Sequence, residues 1–455
     1  MKALELERVM KKEVDDTDTI RGFTSLSGDT EIPIVVIDTE KKPKIQRVLP
    51  MIRGVEANQK CYDPLVVSIG PFHLLKELEI TEKHKIAIAW QYAENAGQSY
   101  DLLYNKVKAI AEEARNCFSL DSRTEVLLDE EKFTKMMLLD GCFILQFIHC
   151  FVNDYKDLNI ELRLAAFVKR DLLLLENQLP FLVLRELISS KENEWKKTFS
   201  TFFTGILVLH SDWLREIDFD KCTHLLDMIH TLLIDKDALS APKYNRKSGS
   251  TDWFSCRSVK ELKAKGIHFR PSQGHQFTDV QFQSTFQTGL LKLPPIAIDS
   301  STKSMLLNMV AYESCPDGPD DLGVSTYICL MDTLIDDAED VKELRSKGIL
   351  LNFLGMDQQV ADLFNQIAVN LVANPNAYAE FKNKIQRHYK NKIKIWLAEW
   401  RHTHFSRPWK LAFMGAIFSL VMSAIQTYKA LYGTETTPCP CTVVNHYHFT
   451  NTIPT

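Results

Sequence analysis

From Glu77 to Ile234 apolar residues recur at helical spacing, most densely in Phe133–Phe151 and Leu162–Leu187, and this period predicts a half built of packed helices. Both dense runs are apolar on more than one face, which places them in a core rather than on a surface. Residues 1–45 are mostly polar and charged, so they read as a flexible arm with a short strand at Ile32–Ile37. The stretch Lys236–Asp252 mixes Ser, Gly, Pro and charge without a period and reads as an exposed loop or hinge. Phe277–Asp299 alternates apolar and polar residues around Gly289 and Pro294-Pro295, which predicts a small β element. Thr302 to about Lys394 returns to helix, with breaks at Pro316–Pro319 and Asn374–Asn376. The pattern predicts a mainly α fold: a large helical globular body with a small β element over 46–407, whose two halves meet near residue 250.

The C-terminal pattern is different. Leu411–Ile425 is uncharged and apolar, and extending it to Leu431 adds Gln426, Thr427, Tyr428 and Lys429 near the far end. A hydrocarbon core of ~30 Å needs about 20 helical residues, so 411–425 alone is short and 411–431 is adequate. Lys392, Lys394, Arg401, Arg407 and Lys410 precede the segment, with Trp396, Trp400 and Trp409 among them, as expected of a cytosolic flank with interfacial aromatics. The expectation is a single transmembrane helix over 408–431, anchored by Trp409, Leu411, Phe413, Ile417, Phe418, Leu420, Val421, Ile425 and Leu431, and followed by a short polar tail at 432–455. The alternatives are a C-terminal helix buried in the body and a helix lying in the headgroup region.

Charge narrows the partners. Fifty-four basic and 59 acidic residues give a net charge of −5, which makes no electrostatic case for a nucleic-acid partner. The N-terminal stretch MKALELERVMKKEVDD has no apolar core of a secretory signal, so the body is expected in the cytosol and the ten cysteines as reduced thiols.

Motifs for chemistry are sparse. Asp336-Asp337-Ala338-Glu339-Asp340 matches the D-D-x-x-D pattern with which some all-α enzymes hold magnesium and a diphosphate, making Asp336, Asp337 and Asp340 candidate metal ligands. The competing reading is a solvated acidic helix face with Val341 and Leu344 as its buried stripe. Cys439 and Cys441 with His446 and His448 offer four donors that zinc could use, but the spacing fits no common zinc finger, and an acylated pair or a structureless tail suits it better. His73 and His84 have no activated nucleophile nearby and read as structural. Glu176, Asn177 and Gln178 interrupt an apolar run before Pro180; buried groups of this kind must be hydrogen-bonded, so they pin the fold or end a helix. No catalytic residue and no cofactor-binding motif is identified.

Eight ordered segments together resemble the plant domain-of-unknown-function 247 proteins: Tyr62–His73, Met137–Leu145, Asp171–Phe181, Arg257–Leu262, Phe286–Asp299, Met331–Ile335, Gly348–Gly355 and Arg407–Trp409. The likeness covers about Arg47 to Tyr432. It implies one C-terminal membrane helix after the Pro-Trp pair and, for the family in general, no established biochemical activity. Some grass members are associated with pollen–pistil self-incompatibility, which implies a recognition role. The chain departs from the family where Leu74 and Leu75 follow His73 in place of a second His and a Gly. The function expected is therefore a plasma-membrane-tethered, non-enzymatic interaction or recognition protein with an unidentified protein partner. Its rivals are a magnesium-dependent enzyme acting through Asp336–Asp340 on an apolar phosphorylated substrate, and a soluble helical scaffold.

Overall fold

Thr81 and His84 start the first long helix, α1 (Glu82–Ala96): the Thr81 N–H donates to His84 Nδ1 at 3.1 Å, so this histidine closes a capping box. Helix α2 (Tyr100–Ala109) follows, its first turn capped by the Ser99 hydroxyl, which accepts the Leu102 N–H. The structure is a computed structural model describing residues 44–121, 124, 128–153, 162–188, 191–208, 217–239, 258–285, 288–374, 377–390 and 408–432. The expected strand at Ile32–Ile37, most of the loop at 236–252 and the tail after 432 lie outside these residues.

Helix α3 (Glu130–Val152) is the axis of the N-terminal half. Asp129 caps it by accepting the Lys132 N–H at 2.9 Å, and Glu130 and Glu131 complement the dipole of its first turn. From Phe133 to Ile148 every side chain except Lys135 is buried, because α1, α2, α5 (Phe181–Ile188) and α6 (Glu192–Leu207) pack around it. Helix α4 (Leu162–Asp171) precedes α5 in the chain. A Cβ on Gly141 would sit 2.5 Å from Leu187 Cδ1, so glycine at mid-helix lets α3 and α5 approach closely.

Among the described residues, α3 is the helix that meets the length and apolar composition of a membrane span, and 78% of that window is buried inside the protein. The sequence pattern puts the span at the C-terminus instead. A core helix covered on all sides needs the same apolar surface as one surrounded by lipid, so composition alone does not separate the two.

The second half follows α7 (Leu225–Leu233) and α8 (Val259–Ala264). Strands β1 (Ile267–Pro271), β2 (Gln281–Ser284) and β3 (Gly289–Leu293) form a sheet of order β1-β3-β2, with β1 parallel and β2 antiparallel to β3. Phe269 and Phe282 both pair with Leu291, and all three are buried. Strand β4 (Ile296–Ile298) pairs in parallel with β5 (Leu350–Asn352). The pattern anticipates β2 to β4 but not β1 or β5, whose partners are distant in sequence. Helices α9 (Thr302–Glu313), α10 (Gly323–Leu334), α11 (Ala338–Ser346), α12 (Asp357–Ile367) and α13 (Ala379–Lys390) complete the body. One hydrophobic core runs from Ile45 to Ile385, so both halves share it. The seven described cysteines are free thiols.

The last element, α14 (Pro408–Tyr432), is a 25-residue helix whose unbroken apolar stretch stops at Ile425. Phe413, Ile417, Phe418, Leu420, Val421, Ile425 and Leu431 are all exposed, with Leu420 at 71% and Leu431 at 72%.

Candidate functional site

Segment 62–73 is neither helix nor strand along most of its length, yet much of it lies in the core, so its backbone must find partners among side chains. Asp171, at the end of α4, supplies most of them: its Oδ2 accepts from the N–H groups of Leu65, Val66 and Val67 at 2.9, 2.8 and 3.2 Å. Arg170 Nη1 donates to the other oxygen at 2.8 Å and to the Asp63 carbonyl at 3.0 Å. Asn177 Oδ1 accepts the Ile69 N–H at 2.7 Å while its amide donates to the Val67 carbonyl. Asp140, from the middle of α3, accepts the Gly70 N–H at 2.8 Å and pairs with Lys85 Nζ at 2.5 Å. Burial alone would lower the Lys85 pKa, but Asp140 and Glu82 hold it above its usual value. Gly70 turns through φ +70°, and a Cβ there would sit 2.8 Å from the Gln178 carbonyl oxygen.

Glu176 closes the network, accepting the Val48 N–H at 2.8 Å and pairing with Arg53 at 2.9 Å. His73 Nε2 lies 3.6 Å from the same carboxylate; burial, with Lys76 next, pushes the imidazole down to about 3, so it is neutral. These residues do structural work. The interruption at Glu176–Gln178 ends no helix at Pro180 itself, because α4 already stops at Asp171, but it does pin the fold.

The acidic run is also spent on backbone. Asp337 is the N-cap of α11, accepting from the N–H groups of Glu339 and Asp340. Asp340 is buried, with one oxygen accepting the Lys260 N–H at 2.8 Å and the other the Asp336 N–H at 3.1 Å. Lys260 and Lys263 pair with Glu339 and Glu343 on the face of the same helix. Burial, with Asp340 next, pushes the Asp336 carboxyl up. Both Asp337 and Asp340 thus act as caps, and the structure does not gather Asp336, Asp337 and Asp340 as one set of metal ligands. Cys439, Cys441, His446 and His448 lie outside the described residues.

What the structure does gather, among the described residues, is His230, Glu313 and Asp321, whose ligand atoms all lie within 4.8 Å of one another. His230 stands on α7, Glu313 ends α9, and Asp321 precedes α10. His230 Nε2 lies 3.0 Å from Glu313 Oε1 and 3.8 Å from Asp321 Oδ1. Glu313 holds the first turn of α10, accepting from the Val324 and Ser325 N–H groups at 2.6 and 2.9 Å and from the Ser325 hydroxyl. Asp321 Oδ1 accepts the Gly323 N–H at 3.0 Å. Beside them Asp227 accepts the Tyr312 hydroxyl at 2.9 Å, and His224 caps α7 through Nδ1. Burial drives His224 down to about 4, so it too is neutral. No spacing rule could find this cluster, since 83 residues separate His230 from Glu313.

A UPF0481 protein of Arabidopsis thaliana is 28% identical over 448 residues, covering 89% of this chain and 90% of the relative. A putative UPF0481 protein of the same plant is 22% identical over 470 residues, covering 82% and 87%. No solved structure matches the chain. The family model described as DUF247, plant protein of unknown function, matches residues 45–422, which take in the network around segment 62–73 and the His230 cluster alike. The chain is a member of this family.

Proposed function

We propose that the chain is a membrane-tethered interaction protein, with a cytosolic helical body held at the plasma membrane by α14. The observation that carries this is an apolar helix whose described large apolar side chains are exposed. Twenty-five residues span about 37 Å at ~1.5 Å each, more than a ~30 Å hydrocarbon core. At 100° per residue Phe413, Val421, Ile425 and Phe418 occupy successive directions around more than a third of the helix. The remaining face carries Gly415, Ala416, Ser419 and Ser423, which are small rather than charged. An interfacial helix needs a strongly polar face, and that face is missing between Leu411 and Ile425. Lysine and arginine before Pro408 favour the body on the cytosolic side. A helix serving as a lid on the body would bury one stripe, which α14 does not. The role is non-enzymatic recognition of a protein partner, in keeping with acidic residues that cap helices instead of converging on a substrate.

Alkaline extraction with protease protection tests this on membranes carrying the full chain or a version ending at Arg407. Resistance of the full chain, release of the shorter one and digestion of the body from the cytosolic side are expected. Release of both versions would overturn the tether, and a protected body would overturn the topology.

A further inference from the structure

The cluster at the junction of α7, α9 and α10 carries more negative charge than the protein around it balances. Among the described residues, Asp227, Glu313 and Asp321 pair with no lysine or arginine. His230 and Glu313 are fully buried, and Asp321 is 11% exposed. The N–H groups that start α10 offset part of the charge. His230 Nδ1 is buried with no hydrogen-bond partner. Two carboxylates face one imidazole nitrogen in the core. Asp321 Oδ2 is likewise buried without a partner.

We propose that His230 Nε2, Glu313 Oε1 and Asp321 bind a zinc ion that clamps α7 and α9 to the start of α10. A tetrahedral zinc with bonds of ~2.0–2.1 Å sets its ligand atoms about 3.3 Å apart. The separations of 3.0 and 3.8 Å from Nε2 bracket that value. One imidazole with two carboxylates is a borderline donor set that suits zinc; calcium and magnesium favour all-oxygen shells of six or more with bound water. One oxygen from each carboxylate and the imidazole fill three tetrahedral positions, and a water fills the fourth. The ion takes the place of the hydrogen bond between His230 Nε2 and Glu313 Oε1. Glu313 keeps its second oxygen on Ser325, while Oε1 serves the ion beside the Val324 N–H that it already accepts. Buried where it joins three helices, the ion is structural.

The full chain, purified in detergent without chelator from zinc-supplemented cells, provides the test by elemental analysis. About one zinc per chain is expected, surviving dialysis. Asp321→Asn and His230→Gln should each lower the affinity for added zinc at least ~100-fold, since loss of even an outer partner costs 10–100-fold. The double variant Cys439→Ser/Cys441→Ser should hold zinc as the natural chain does. Because the first two variants could fail to fold, the natural chain is also stripped and loaded with cobalt. Visible cobalt bands without thiolate-to-metal charge transfer support a nitrogen and oxygen site. Charge-transfer bands, loss of zinc only in the cysteine variant, or a natural chain that neither retains nor takes up zinc would overturn the proposal.

Discussion

A buried carboxylate is costly unless its oxygens are fully used, and Asp171 shows what that use can achieve. Three consecutive N–H groups of an irregular segment converge on one of its oxygens, with Arg170 on the other. Removing the side chain orphans those amides and leaves Arg170 with backbone carbonyls but no carboxylate. Asp171→Ala should therefore cost about 3 kcal/mol or more, read as a lowered thermal midpoint with greater protease sensitivity near Tyr62–His73. His224 makes a prediction about pH. Its folded pKa of about 4 lies below the ordinary value of 6.5, so between these the unfolded chain binds more protons than the folded one. The stability it confers is complete above pH 6.5 and drains away as pH falls toward 4. Between pH 7 and 5 the loss is about 2 kcal/mol. His224→Asn keeps a capping oxygen for the Asp227 N–H but cannot titrate, so its unfolding midpoint should fall less over that interval than that of the natural chain. Parallel pH profiles would remove His224 as the cause.

Among the elements, α11 decides between a metal-binding motif and a helix start. Asp340→Ala removes acceptors from the Lys260 and Asp336 amides at once, which should cost about 2–3 kcal/mol. Adding magnesium should change the midpoint of neither chain, and a magnesium-dependent rise abolished by Asp340→Ala would restore the diphosphate reading. Helices of this kind were largely legible from sequence, because 3.6-residue periodicity and end-capping residues are local: Asp129 before α3 and Asp337 before α11 stand where the start signals belong. The β element was half legible. Alternation marks β2 and β3, but β1 is held by a parallel register, Ile267 against Gly289, that no local pattern encodes. The role of Asp171, Asn177 and Asp140 was visible only as polarity inside apolar runs, since the donor amides they hold lie 70 or more residues away. The His230 cluster was not legible for the same reason, as its three side chains meet only after α7, α9 and α10 have packed.

At the scale of the whole molecule two long apolar helices among the described residues, α3 and α14, meet their surroundings in different ways. Helix α3 is wrapped by α1, α2, α5 and α6, so its amides open only with the body. Helix α14 exposes its apolar side chains, and in water an isolated helix of this length is marginal without packing on something. Lipid or detergent would supply that packing and exclude water from the backbone. Hydrogen exchange on the full chain in detergent should thus show two protected islands, at 130–152 and near 411–431. In the version ending at Arg407, exchange within 130–152 should stay within about twofold of the full chain, because the core does not depend on α14. Transfer of the full chain into a detergent-free polymer that screens apolar surface less completely should speed exchange in 411–431 while leaving 130–152 unchanged. Equal acceleration of both regions, or loss of protection at 130–152 on truncation, would mean that the last helix belongs to the core and not to a membrane.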